Sequence, residues 1–95
     1  MIIAWLPEAI RSRDEHLQHL AQESIQATRD VAERLRGQVR RLVQFPQLGV
    51  IGRKRGTREL VILRTSLIVV YRVRPKLKRV EILRVLHSSQ QWPPA

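Results

Sequence analysis

An α+β fold is predicted for this chain of 95 residues: an N-terminal strand, an antiparallel helical hairpin, then a three-stranded antiparallel meander. Three observations predict it. Between Leu6 and Leu42 the apolar residues recur at three- and four-residue steps, the spacing of helices that bury one face. From Thr57 onward the period drops to two, the spacing of strands. The links between successive segments are short, so neighbours in sequence must be neighbours in space and antiparallel. A chain of this length makes one domain, residues 1–95, around one core.

The elements follow in order. "IIAW" (Ile2–Trp5) is short and apolar and predicts a strand over residues 1–5. Pro7 suits the first turn of a helix, where its missing N–H costs nothing. Helix one runs from Pro7 to about Gln22, with Leu6, Ile10, Leu17, Leu20 and Ala21 on its inner face. Ser24 can cap helix two, whose inner stripe is Ile25, Thr28, Ala32, Leu35, Val39 and Leu42. Phe45-Pro46 ends it, because the residue before proline avoids the helical region. Gly37 sits inside this helix at a cost of up to about 1 kcal/mol and marks an expected close approach. The helical hairpin occupies residues 7–45.

"PQLGVIGRKRGT" reads as a loop punctuated by Gly49, Gly52 and Gly56, and it does not match a phosphate-binding signature. "TRELVIL", "SLIVVYRV" and "KRVEILRVL" are the strands of the meander, residues 57–87; Arg64-Thr65 supplies a tight turn, and Pro75 breaks the ladder before the last strand. Alternation puts Leu67, Val69, Tyr71 and Val73 on one face, and Ile68, Val70, Arg72 and Arg74 on the other. The same rule groups Leu60 and Ile62 with Arg58 and Arg64, and Val80, Ile82 and Leu86 with Arg84. One face packs on the helices, and the other is apolar with arginines interspersed. The tail, residues 88–95, is polar and proline-rich, and Trp92 is expected to fold it back onto the body.

The net charge of +10 is unevenly placed. Residues 1–52 carry seven arginines and six acids, a net of +1; residues 53–95 carry eleven basic residues and two acids, a net of +9. So concentrated a charge suggests nucleic acid, the ribosome, an anionic membrane or an acidic protein as partner, against the plain alternative of solubility. The absence of cysteine excludes disulfides and thiolate metal sites and fits a reducing compartment. No apolar run approaches the ~20 residues of a membrane span, and the start lacks the features of a signal peptide, so a cytoplasmic protein without a membrane partner is expected. His16 and His19 lie three apart with no third ligand in view, so neither a metal nor another cofactor is expected. Neither a hydrolytic triad nor a carboxylate pair is in evidence. Glu59 and Glu81, the acids of the second half, are expected to pair with neighbouring arginines.

Specific words then meet this element order. "FPQLG" after the second helix, "GTRELVI" opening the meander, "IVVYRV" in its centre and "VEILRVLHSSQQWP" at its end resemble the RelE/ParE superfamily of toxins from bacterial type II toxin–antitoxin systems. The resemblance covers almost the whole chain and is strongest over residues 45–93. It implies a four-stranded α+β fold and a cognate antitoxin with an acidic, amphipathic C-terminal segment.

The superfamily has two branches. RelE-like members cleave mRNA on the ribosome; ParE-like members poison DNA gyrase and lack the nuclease residues. In the nuclease branch an arginine commonly stands at the place of Ile68, and a tyrosine, histidine or arginine near the end of the last strand. Here the first position is apolar, and Ser88, Ser89 and Gln90 follow His87 without a tyrosine. The resemblance therefore lies closer to the ParE-like, plasmid-stabilising branch. A nuclease would draw on Arg58, Arg72, Arg84 and His87, because 2′-OH attack needs a charge clamp on the phosphate and a proton acceptor. The wider candidate surface for target binding is Arg53, Lys54, Arg55, Arg58, Arg72, Arg74 and Arg84. Gyrase poisoning is the leading expectation, ribosome-dependent mRNA cleavage the alternative, and a plain nucleic-acid-binding module the third.

Overall fold

The computed structural model describes residues 1–94. Strand β1 is Ile2–Trp5, helix α1 Pro7–Ala21 and helix α2 Ile25–Arg40, which tightens into a 3-10 turn at Arg41–Val43. Strands β2 (Val50–Ile51), β3 (Arg58–Val61), β4 (Leu67–Arg74) and β5 (Arg79–His87) follow. They form one mixed sheet in the order β1-β5-β4-β3-β2, with β1 parallel to β5 and every other pair antiparallel. Both helices lie on one side of it, over a core that includes Leu35, Val39, Leu42, Val69, Tyr71 and Ile82. The other side faces away from the helices.

Local chemistry starts both helices at the residues the sequence offers. Pro7 opens α1. The Ser24 hydroxyl accepts from the Ala27 N–H at 3.0 Å and caps α2. Lys78 adopts a left-handed conformation (φ 52°) after the 3-10 turn Pro75–Leu77 and turns the chain into β5.

Several expectations need correction. The sheet has five strands rather than four, because Val50 and Ile51, read as loop, pair with Glu59 and Arg58. Helix α1 buries Ala9 and Ser12, while Ile10 and Ala21 are exposed. Ser12 is drawn inward by a hydrogen bond: its hydroxyl accepts from the Val85 N–H at 2.9 Å, on the stretch of β5 that β1 does not reach. The stripe of α2 is buried only at Leu35, Val39 and Leu42; Ile25 is 66% exposed. A side chain at Gly37 would meet nothing within 4 Å, so this glycine marks no close approach.

The last strand holds the main surprise. Val70 pairs with Arg84 and Tyr71 with Ile82, so Leu83 is an extra residue on β5. Such a bulge resets the alternation. Val80, Ile82 and Val85 face the helices, and Leu86 joins Arg84 on the far side. Leu86 therefore does not share a face with Val80 and Ile82, as unbroken alternation had it.

Candidate functional site

Cross-strand partners share a face of the sheet, so the register assigns each candidate residue to a side. Val70, Arg72 and Arg74 on β4 look away from the helices with Arg79, Glu81, Arg84 and Leu86 on β5 and Glu59 on β3. Glu81 is the hub, only 3% exposed. Arg72 Nε donates to its carboxylate at 2.6 Å and Arg79 Nη2 at 2.5 Å, and Arg74 Nη1 stands 3.6 Å away. The Arg72 hydrogen bond, joined by that of Arg79, holds the Glu81 carboxyl below the usual range against the opposing effect of burial.

Glu59, 8% exposed, anchors the loop between β2 and β3. Arg53 donates to it from the backbone at 2.8 Å and from Nε at 3.1 Å. Burial pushes this carboxyl up, but the Arg53 hydrogen bonds and charge outweigh it and leave the group below its ordinary value. Lys54 and Arg55 follow in the same loop. Arg84 reaches Glu8 of α1 at 3.1 Å, and its guanidinium lies 5.0 Å from the Trp92 ring centre. Trp92 thus does bring the tail back onto the body. Four cations gather around the two buried carboxylates: Arg72, Arg74 and Arg79 around Glu81, and Arg53 at Glu59.

Two candidates fall elsewhere. Arg58 pairs with Tyr71 and so faces the helix side. Its Nη1 donates to the Gly49 carbonyl at 2.8 Å. The Tyr71 hydroxyl, fully buried, accepts from the Gly49 N–H and donates to the Pro46 carbonyl, both at 2.8 Å. Arg58 and Tyr71 together fold the "FPQLG" segment. Gly49 is required there, because a Cβ would come within 2.8 Å of the Glu59 carbonyl oxygen and the Tyr71 ring. Burial raises the Tyr71 hydroxyl pKa, which keeps it a neutral donor.

His87 pairs with Leu67 and also faces the helix side. It lines a cleft of about 410 Å³ with His16 and His19 of α1, Glu23 of the α1–α2 link, and Thr65 and Ser66 of the β3–β4 turn. Its Nδ1 lies 2.7 Å from the Ser89 hydroxyl. Burial lowers the His16 pKa, partly offset by its hydrogen bond to the Val85 backbone. Among the described residues no group of three or more His, Cys, Asp or Glu is placed to hold a metal ion. No described helix is long and apolar enough to cross a membrane.

Beside β1, α1 and α2 enclose a groove of about 510 Å³ lined by Ile3, Trp5, Leu17, Leu35 and Val39 and by Arg13, Arg36 and Arg40, with Asp14 paired to Arg13 at 3.1 Å. Arg13 stacks over Trp5 at 5.0 Å. Glu81 and Arg79 are the central residues of the basic face that sequence reasoning did not place there. Their signal was the i, i+2 spacing of opposite charges on a strand beside an arginine-bearing one.

A family model described as "ParE toxin of type II toxin-antitoxin system, parDE" matches residues 3–92. A protein of Sinorhizobium fredii named "Putative toxin Y4kP" is 36% identical over 91 residues, covering 96% of this chain and 92% of its own. Among solved structures, a chain of the chromosomal ParDE toxin–antitoxin system of P. aeruginosa superposes with a TM-score of 0.71 at 24% identity, over 92% of this chain and 95% of that one. A chain of the RelBE2 toxin–antitoxin complex of Mycobacterium tuberculosis superposes with a TM-score of 0.59 at 23% identity, over 94% of this chain and 92% of that one.

Proposed function

This chain belongs to the ParE family of toxins from type II toxin–antitoxin systems, and we infer that it arrests bacterial growth by poisoning DNA gyrase rather than by cutting mRNA. One observation carries the choice: the residues a nuclease would need are dispersed. Arg58 is spent on the Gly49 carbonyl, His87 faces the helix-side cleft, and Arg72 is bound to Glu81 on the opposite side of the sheet. Arg84, on that same opposite side, is engaged by Glu8 and Trp92. Among these four residues no proton acceptor stands beside an unengaged guanidinium, the combination that general acid–base cleavage of RNA draws on.

The target surface in this reading is the basic face with Arg53, Lys54, Arg55, Arg72, Arg74 and Arg84. Its excess charge suits steering toward a negatively charged partner. The groove beside β1 fits the antitoxin. Its apolar lining and the excess of Arg13, Arg36 and Arg40 over Asp14 suit an acidic, amphipathic segment that orders as it binds. The toxin–antitoxin sources of the two solved neighbours are consistent with that partner.

The purified protein should inhibit gyrase supercoiling. Its expression without antitoxin should induce the DNA-damage response and filamentation while transcripts stay intact. Primer extension on abundant transcripts decides the matter: clean cuts within coding sequence, without DNA damage, would replace this reading with ribosome-dependent mRNA cleavage.

A further inference from the structure

We propose that Trp92 staples the loop bearing Arg53, Lys54 and Arg55 to the sheet, so that the C-terminal tail sets the shape of the basic face. The functional consequence rests on the reading of that face as the target surface; the staple itself rests on geometry. The Trp92 ring has the Arg84 guanidinium 5.0 Å from its centre and the Lys54 ammonium 5.9 Å from it. These cations come from β5 and from the β2–β3 loop, elements that do not pair with each other. The aromatic ring gives each of these cations an attractive partner.

The rest of the tail is built to deliver that ring. The Ser88 N–H donates to the Ser66 carbonyl at 2.7 Å and the Gln90 N–H to the His87 carbonyl at 2.9 Å, which turns the chain at the end of β5. From His87 to Pro94, Trp92 is the one residue that is not exposed. Its Nε1 is buried and has no hydrogen-bond partner among the described residues, so no hydrogen bond from its edge fixes the ring and its faces make the cation contacts. Val70, opposite Arg84, and Leu86, two residues beyond it, are fully buried on this side of the sheet, away from the helices. The loop's remaining ties among the described residues are the Arg53–Glu59 pair and its own internal bonds, Gly52 N–H to the Thr57 carbonyl at 2.8 Å, and the Thr57 N–H and hydroxyl to the Lys54 carbonyl at 3.2 Å and 2.6 Å. The Lys54 side chain has no ion pair among the described residues, and Trp92 is its partner outside the loop.

Amide hydrogen exchange tests this on the whole chain. Trp92→Ala should speed exchange across residues 53–56 about threefold, the scale of losing the one exposed cation–π contact that ties the loop to the ring, and leave the protected amides of β4 and β5 unchanged. Trp92→Phe keeps an aromatic face and should restore most of the protection. Lys54→Met removes the cation without touching the sheet, and it should free the loop as Trp92→Ala does even if the latter variant folds poorly. Unchanged loop exchange in Trp92→Ala and Lys54→Met, or a Trp92→Phe variant as loose as Trp92→Ala, overturns the staple. Undiminished gyrase inhibition by Lys54→Ala and Arg55→Ala, with the loop shown to be stapled, would instead remove the target reading of this face and leave the staple standing.

Discussion

On the helix side of the sheet, Val69, Tyr71 and Ile82 are fully buried and Val85 nearly so, and the polar groups that enter, Tyr71 and Ser12, are hydrogen-bonded to backbone. On the far side, alternate residues of the same two strands make an ion cluster: Glu81 under Arg72, Arg74 and Arg79. One side is held by packing and by a few obligatory hydrogen bonds; the other adds, beside its buried Val70 and Leu86, charge-assisted bonds whose cations stay partly in water. The contrast teaches where change is tolerated. Close packing transmits a lost methylene as a cavity, whereas a half-exposed guanidinium can leave with little effect on stability unless it holds a buried partner. Arg72, bonded at 2.6 Å to a buried carboxylate, belongs to the exceptions, and Arg74 at 3.6 Å does not.

The largest expected effect is on the packed side. Ile82→Ala should lower the unfolding free energy by about 2–5 kcal/mol with the denaturant slope unchanged. A loss below about 0.5 kcal/mol would mean that Ile82 is not the core residue its zero exposure indicates. Next is Tyr71→Phe. It strands the Gly49 N–H and the Pro46 carbonyl and should cost about 1–3 kcal/mol. The probe is denaturant unfolding, with proteolysis around residues 45–49 rising in parallel; an unaffected loop would deny Tyr71 its pinning role.

The charged side sharpens the comparison through pH. Folding lowers the carboxyl pKa of both Glu59 and Glu81. A depressed folded value adds stability that is full above the ordinary carboxylate value and is lost as pH falls through the lower folded value. Thermal melts should therefore lose stability on acidification below about pH 4.5. That acid limb should shrink in a Glu59→Gln, Glu81→Gln double variant. An acid limb of unchanged depth would break the assignment.

The smallest structural effect is expected for Arg74→Ala, within about 0.5 kcal/mol in unfolding. If the basic face meets the target, growth arrest should nevertheless weaken. Full toxicity in Arg74→Ala, Lys54→Ala and Arg55→Ala together would move the search to Arg29, Arg36 and Arg40 of α2.

How much of this was legible depends on how local the cause is. Pro7 and Ser24 start their helices through bonds that span a few residues, and both are plain in the sequence. The alternation of β4 is equally local, and it put Tyr71 and Arg72 on opposite sides correctly. Arg58, by contrast, was grouped with Arg72 and Arg84 because nothing local states which β3 residue lies opposite which β4 residue. His87 was joined to the same arginines through the resemblance, which carries no register; the pairing with Leu67 puts it on the helix side.

The sequence alone determined the class of fold, the family words that carry the resemblance, the concentration of charge in residues 53–95 and the pairing of both late acids with arginines. These follow from periodicity, short links and composition, all readable along one chain. Only the tertiary structure decided that Val50 and Ile51 form a fifth strand, that Ser12 turns inward to the open edge of β5, and that Leu83 shifts β5 by one residue. That shift places Leu86 and Arg84 with Arg72, and His87 with His16. The physical reason is register: strand alternation has a period of two, so a single extra residue, fixed by pairing between distant segments, moves every later side chain to the other face.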